Sequence, residues 1–185
     1  MQEILDKWKI KINYNILLSM WNESHRHWHN QSHLVDLLSQ INESKIQLNS
    51  QKDYEKLVLT ALFHDIIYDP SKTNNEELSA EFFINSCQEK NQDVLDIKQM
   101  ILDTKNHESS TTLSKIFNSF DMNIVERDYD SLLEWEEGIW GEYKTLGRDD
   151  EYKKGRLSFL EGLLDKYPSN SGNLLNLIGY VKSTY

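Results

Sequence analysis

The sequence predicts an all-α fold, on two observations. Apolar residues recur at three- and four-residue spacing in one segment after another, the period of an amphipathic helix. Only two prolines and seven glycines punctuate 185 residues, few for a sheet protein with many turns. No repeat, low-complexity tract or linker divides the chain, and its length suits one domain over residues 1–185.

The first helix is expected over about residues 3 to 20, with Ile4, Leu5, Trp8, Ile12, Ile16 and Leu17 on one face. A connection rich in His and aromatic residues runs from Trp21 to His29, and a second helix carries His33, Leu34, Leu37, Leu38 and Ile41. The polar stretch Asn42 to Lys52 reads as a loop before a helix from about Asp53 to Phe63. Pro70 breaks the chain. Further helices are expected from near Asn74 (Leu78, Phe82, Phe83, Ile84), through Val94, Ile97, Ile101 and Leu102, and, shorter, through Thr112, Leu113, Ile116 and Phe117. Beyond Asp121 come segments with Leu132-Leu133, Ile139 to Tyr143 and Tyr152 to Tyr167, then a turn at Pro168–Gly172 and a last helix with Leu174, Leu177, Ile178 and Val181.

Thirty acids against twenty bases give a formal charge of −10, which argues against a general nucleic-acid surface. A small anionic substrate stays compatible, because a cation or a few local bases reverse the field inside a cleft. The single Cys87 rules out an internal disulfide and fits a reducing compartment. With no signal-like start and no stretch long and apolar enough to span a bilayer, a cytoplasmic protein off the membrane is expected.

The most informative feature is His64-Asp65 at the end of the apolar run Leu57–Phe63. Both groups ligate metals, and both are costly to bury unpaired. His29, His33, His107 and Asp121 are the other candidates, on separate segments. Imidazole with carboxylate suits Mn, Fe, Co, Ni, Zn or Mg, and a lone cysteine excludes a thiolate-rich zinc site. His29 and His33 share a face if one helix covers both, as a ligand and its neighbour or as a surface pair. There is neither a His-Glu-x-x-His zinc helix nor a glycine-rich phosphate loop.

The stretches His25-Arg26-His27-Trp28-His29-Asn30-Gln31-Ser32-His33-Leu34 and Ala61-Leu62-Phe63-His64-Asp65-Ile66-Ile67-Tyr68-Asp69-Pro70, followed by Asn75-Glu76-Glu77-Leu78-Ser79-Ala80, Thr104-Lys105-Asn106-His107 and Asp121-Met122, occur in an order that resembles the HD-domain superfamily of metal-dependent phosphohydrolases, in its small single-domain form. Tyr152 with Gly155-Arg156 resembles a further family feature, so the likeness spans roughly residues 20 to 160. There are departures: Ser119 stands where the late motif has its first Asp, Glu126 where it has glycine, and Trp140 where a base often precedes the Glu142-Tyr143 pair.

The resemblance implies an HD-type helical bundle with a divalent ion held between helices by His29, His64, Asp65 and Asp121. It implies attack of metal-activated water on a phosphomonoester or phosphoanhydride of a nucleotide or other small molecule. Glu76, in the Asn-Glu element, is the candidate acid–base group, with Asp65 beside it; the alternative is a first-turn glutamate favoured by the helix dipole. Arg26, Lys105 and Arg156 are candidate phosphate contacts, the alternatives being surface solvation for Arg26 and Lys105 and a structural ion pair for Arg156, with His33 and His107 as pocket groups. The competing readings are a catalytically degenerate HD module that binds nucleotide or metal as a regulator, an oxygenase-like HD protein, and a helical interaction protein whose candidate ligands do not meet.

Overall fold

A computed structural model describes residues 1–45, 48 and 50–185. Among them every regular element is helical, apart from one isolated antiparallel bridge between Ile10 and Cys87. The all-α prediction holds. The chain groups into two compact units, Met1–Asp121 and Met122–Tyr185, although no linker composition marks the join.

The first unit contains α1 (Gln2–Lys7), α2 (Tyr14–Trp21), α3 (Gln31–Ser44), α4 (Gln51–Phe63), α5 (Asn75–Ser86), α6 (Gln92–Asp103) and α7 (Thr112–Asp121). Its axis is α4, against which α3, α5, α6 and α7 all pack. The Ser50 side chain caps α4 by accepting from the Asp53 amide, and every residue from Glu55 to Phe63 is buried. A helix surrounded by others needs apolar residues on all faces, as the run Leu57–Phe63 supplies. The two charged residues in its buried part are paired. Glu55 accepts from Lys7 Nζ and Trp8 Nε1, and Lys56 donates to Asp93 and Asp96.

One expectation is corrected. The single helix over residues 3 to 20 is two, α1 and α2, because Lys9 takes a left-handed backbone (φ 55) and the Asn13 side chain caps α2 through the Asn15 amide. The apolar spacing runs through the break because Ile10 and Ile12 still face the core as extended chain. The condition for His29 and His33 to share a face, one helix covering both, is not met. α3 starts after Asn30, whose side chain accepts from the Ser32 amide, so His29 precedes the cap and His33 lies in the first turn. Of the expected Asn42–Lys52 loop, residues 46, 47 and 49 lie outside the described residues.

The second unit contains α8 (Tyr129–Tyr143), α9 (Asp149–Lys166) and α10 (Ser171–Thr184), with 3₁₀ turns at Met122–Glu126, Lys144–Leu146 and Pro168–Asn170. The segments expected around Leu132-Leu133 and Ile139–Tyr143 are one helix, α8, capped by Asp128 through the Ser131 amide. Gly147 supplies the left-handed residue (φ 63) that ends the turn after α8. α10 packs on both α8 and α9.

A buried polar knot ties α8 to α9. The fully buried carboxylate of Glu136 accepts from Arg156 Nε at 2.6 Å and from Tyr152 OH at 2.7 Å, while the Arg156 guanidinium lies 4.1 Å from the Trp135 ring centroid. Removing one partner of a buried pair leaves an uncompensated charge. Glu136→Leu is therefore expected to lower stability by about 3–5 kcal/mol. The double variant with Arg156→Met is expected to recover most of that loss in urea unfolding; equal losses in the single and double variants would contradict this.

Candidate functional site

The site is built at the carboxy-terminal end of α4. Its helical hydrogen bonding continues into His64, whose amide donates to Thr60 O, so the imidazole is delivered into the interior with only 1% of its side chain exposed. His64 Nδ1 lies 3.1 Å from Ala61 O and donates to it, a carbonyl being able only to accept. That orients the ring and turns Nε2 toward two carboxylates, Asp65 Oδ2 at 3.1 Å and Asp121 Oδ1 at 3.5 Å. Nε2 is buried and has no hydrogen-bond partner.

Asp121 arrives from the end of α7 and is bracketed. His33 Nε2 lies 3.0 Å from one carboxylate oxygen and His107 Nε2 3.2 Å from the other. Ligand atoms of His33, His64 and Asp121 all fall within 4.8 Å of one another. Gln40 of α3 donates to Phe120 O, which helps hold α3 and α7 in the register that brings His33 to Asp121. Trp21, whose indole donates to Leu62 O, and Phe117 back the His64 ring at 5.5 and 5.4 Å between centroids.

The electrostatics follow from this crowding. Burial alone would push the His64 imidazole down, but the Asp65 and Asp121 charges outweigh it and hold the group well above its usual range. Burial would raise Asp65 and Asp121; the charge of His64 reverses this, with His29 adding to the effect at Asp65 and hydrogen bonds from His107 and His33 at Asp121. Both stay ionised, so the bracketing His33 and His107 nitrogens act as donors. A positive charge is thus favoured between His64 Nε2 and the two carboxylates, and the α4 carboxy terminus favours it further. Two carboxylates with imidazole nitrogens are a donor set of the kind that holds a borderline or hard divalent ion.

The other expected residues divide. His29 stacks on Tyr68 with centroids 4.2 Å apart, and its ring is 6.4 Å from that of His33. Glu76 lies half-buried in the first turn of α5; burial, and then the Asp65 charge, push its carboxyl up. Asn75 and Ser79 of α5 each make paired hydrogen bonds to the backbone of the loop after His64-Asp65, at Asp69 and Ile67 respectively, fixing α5 against it. Lys105 is exposed and bonded to Glu77 and to Thr73 O.

Arg26 and Arg156 were expected to contact phosphate, and the structure gives both other partners. The Arg26 side chain is fully buried and its guanidinium is spent on Glu23 and three backbone carbonyls. Arg156 belongs to the second unit, paired with Glu136. For Arg156 this is the structural ion pair that was its alternative; for Arg26 the partners are backbone carbonyls and Glu23, not solvent.

One supporting residue is not legible in the sequence. The Asp103 carboxylate, buried at the end of α6, accepts from Ser110 N and Oγ, Ser114 Oγ and Gln99 Nε2. This closes the loop carrying His107, which adopts a left-handed backbone at φ 52. Ser110 and Ser114 lie 7 and 11 residues downstream, past the end of α6, so no face of that helix presents them to Asp103.

A scan against protein-family models, a search of curated proteins and a search of solved structures each returned no significant match.

Burial would raise the Asp103 carboxyl, but the hydrogen bonds from Ser110 and Ser114 hold it below the ordinary carboxylate range. A depressed folded-state value stabilises the protein above the unfolded-state value and loses that contribution as pH falls through the folded one. Asp103→Ala is expected to cost about 2–3 kcal/mol near neutral pH. In urea titrations the gap from wild type is expected to narrow below about pH 4, the unfolded carboxylate range. A gap independent of pH would contradict this.

Proposed function

We propose that this chain is a metal-dependent phosphohydrolase of the HD-domain type, acting on a phosphomonoester or phosphoanhydride of a nucleotide or other small molecule. The observation that carries the reading is the buried His64 Nε2, without a hydrogen-bond partner and facing Asp65 and Asp121. The order of motifs from His25 to Asp121 supports it independently.

On this reading His64, Asp65 and Asp121 bind the ion, with His29 as the fourth ligand. His33 and His107 donate to the two oxygens of Asp121 and so orient it. When bound, a divalent ion lowers the pKa of water and polarises a phosphoryl oxygen. Glu76, whose carboxyl burial pushes up, exchanges a proton with the attacking water or the leaving oxygen. Lys105 is the base most readily turned to a phosphate, because an exposed pair such as Lys105–Glu77 contributes little and exchanges easily.

One observation favours a second reading, a degenerate module that binds nucleotide or metal without turnover. Both arginines expected to clamp phosphate are committed to protein partners.

Isothermal titration of the wild type with Co²⁺ or Mn²⁺ is expected to show about one tight site per chain. His64→Ala and Asp65→Asn are each expected to weaken it more than about 100-fold, since even outer partners of ligands are worth 10- to 100-fold. His29→Ala is expected to weaken it more than His33→Ala; the reverse order makes His33 the ligand. Absence of binding would end the proposal, and binding without turnover on a phosphoester and nucleotide panel would select the regulatory reading.

If turnover is found, Glu76→Gln is expected to lower kcat by about 100-fold or more while Co²⁺ affinity stays within about threefold. Unchanged kcat would return Glu76 to a helix-dipole role.

A further inference from the structure

The Arg26 fork joins the two chain segments that carry His29 and His64-Asp65. Nη1 donates to His29 O at 3.0 Å and to Asp65 O at 2.8 Å, and Nη2 donates to Ile66 O at 3.0 Å. Nε donates to Glu23 at 3.0 Å, closing the loop on its own segment. The cation lies near the rings of Trp21 and Tyr68, 5.5 and 5.4 Å from their centroids. Asp65 O and Ile66 O lie one and two residues past the α4 C-cap His64, in turn backbone outside the helical hydrogen-bond ladder. Buried acceptors of this kind are costly without donors.

We infer that Arg26 is a positioning residue for ion binding: it fixes the backbone of His29 relative to that of Asp65, and through them the geometry of the site. The inference rests on the proposed function, since only an ion bound by these side chains gives the distance between them a consequence. A planar fork is required because the three carbonyls sit on two segments and are reached by two different nitrogens. Lysine has one nitrogen and keeps the charge without spanning them. A residue that only stabilised the fold would weaken folding without changing the ion affinity of the molecules that stay folded.

The test is Co²⁺ titration of wild type, Arg26→Lys, His29→Ala and the double variant, at a temperature where circular dichroism shows all four folded. Arg26→Met and Arg156→Met accompany them, the latter removing a buried arginine that belongs to the second unit. Arg26→Lys is expected to weaken Co²⁺ at least about tenfold, Arg26→Met further, and Arg156→Met not at all. Because Arg26 acts partly through His29, its substitution is expected to cost less in the His29→Ala background.

Wild type that binds Co²⁺ alongside an Arg26→Lys variant of equal affinity overturns the inference and leaves the metal reading standing. Full additivity with His29→Ala also overturns it. Wild type that binds no Co²⁺ overturns both. If Arg26→Lys does not fold, hydrogen exchange of the wild-type Arg26 guanidinium decides. Slowing on addition of Zn²⁺ supports coupling between fork and site, and unchanged exchange refutes it.

Discussion

The first unit is organised by a helix end that is buried. α4 is enclosed along most of its length, so the groups that follow Phe63 emerge inside the protein rather than at its surface. A helix end carries unpaired carbonyls and a partial negative charge, and here it also carries an imidazole with a carboxylate beside it. Each surrounding element answers part of that problem. α7 brings Asp121, α3 brings His33 to donate to it, the loop after α6 brings His107, and the turn before α3 brings Arg26 to the carbonyls. Had α4 ended at the surface, water would satisfy the same groups, and there would be no reason for four segments to converge.

The convergence is tight but electrically unfinished. Asp121 accepts two hydrogen bonds, Asp103 accepts four, and the Arg26 fork makes four. Against this thoroughness His64 Nε2 stands out, with Asn118 Oδ1 the other buried side-chain atom of the first unit without a hydrogen-bond partner among the described residues. The neighbours of His64 Nε2, two carboxylates and a helix end, favour positive charge at that position.

Most of the helices were legible because burial on one face leaves a three- and four-residue rhythm, and His64-Asp65 was legible because two ionisable groups end an apolar run. The failures have specific causes. The break at Lys9 hid behind apolar spacing that continued across it. Arg26 was read by its charge, whereas its role is set by burial, which no local pattern encodes. Asp103 draws on hydroxyls two segments away, and a carboxylate at a helix end is ordinary in sequence. The division at Asp121 has no compositional mark, since it reflects which helices pack together, not what joins them.

Charge bears on what such a site accepts. The chain is acidic overall, and Asp65, Glu76, Glu77 and Asp121 are concentrated in and beside the site, while Arg26 faces backbone and Lys105 is already bonded to Glu77. A phosphorylated ligand approaching these side chains alone would meet net repulsion. A divalent cation held by Asp65 and Asp121 would neutralise both and present positive charge outward, which inverts the local field. On the proposed function, then, the ion is needed for substrate binding as well as for chemistry. Acidic side chains beside it contribute a second effect: they disfavour a product anion that lingers. With the nearby bases already paired, the site would on that proposal depend on the ion to hold a phosphate ester at all.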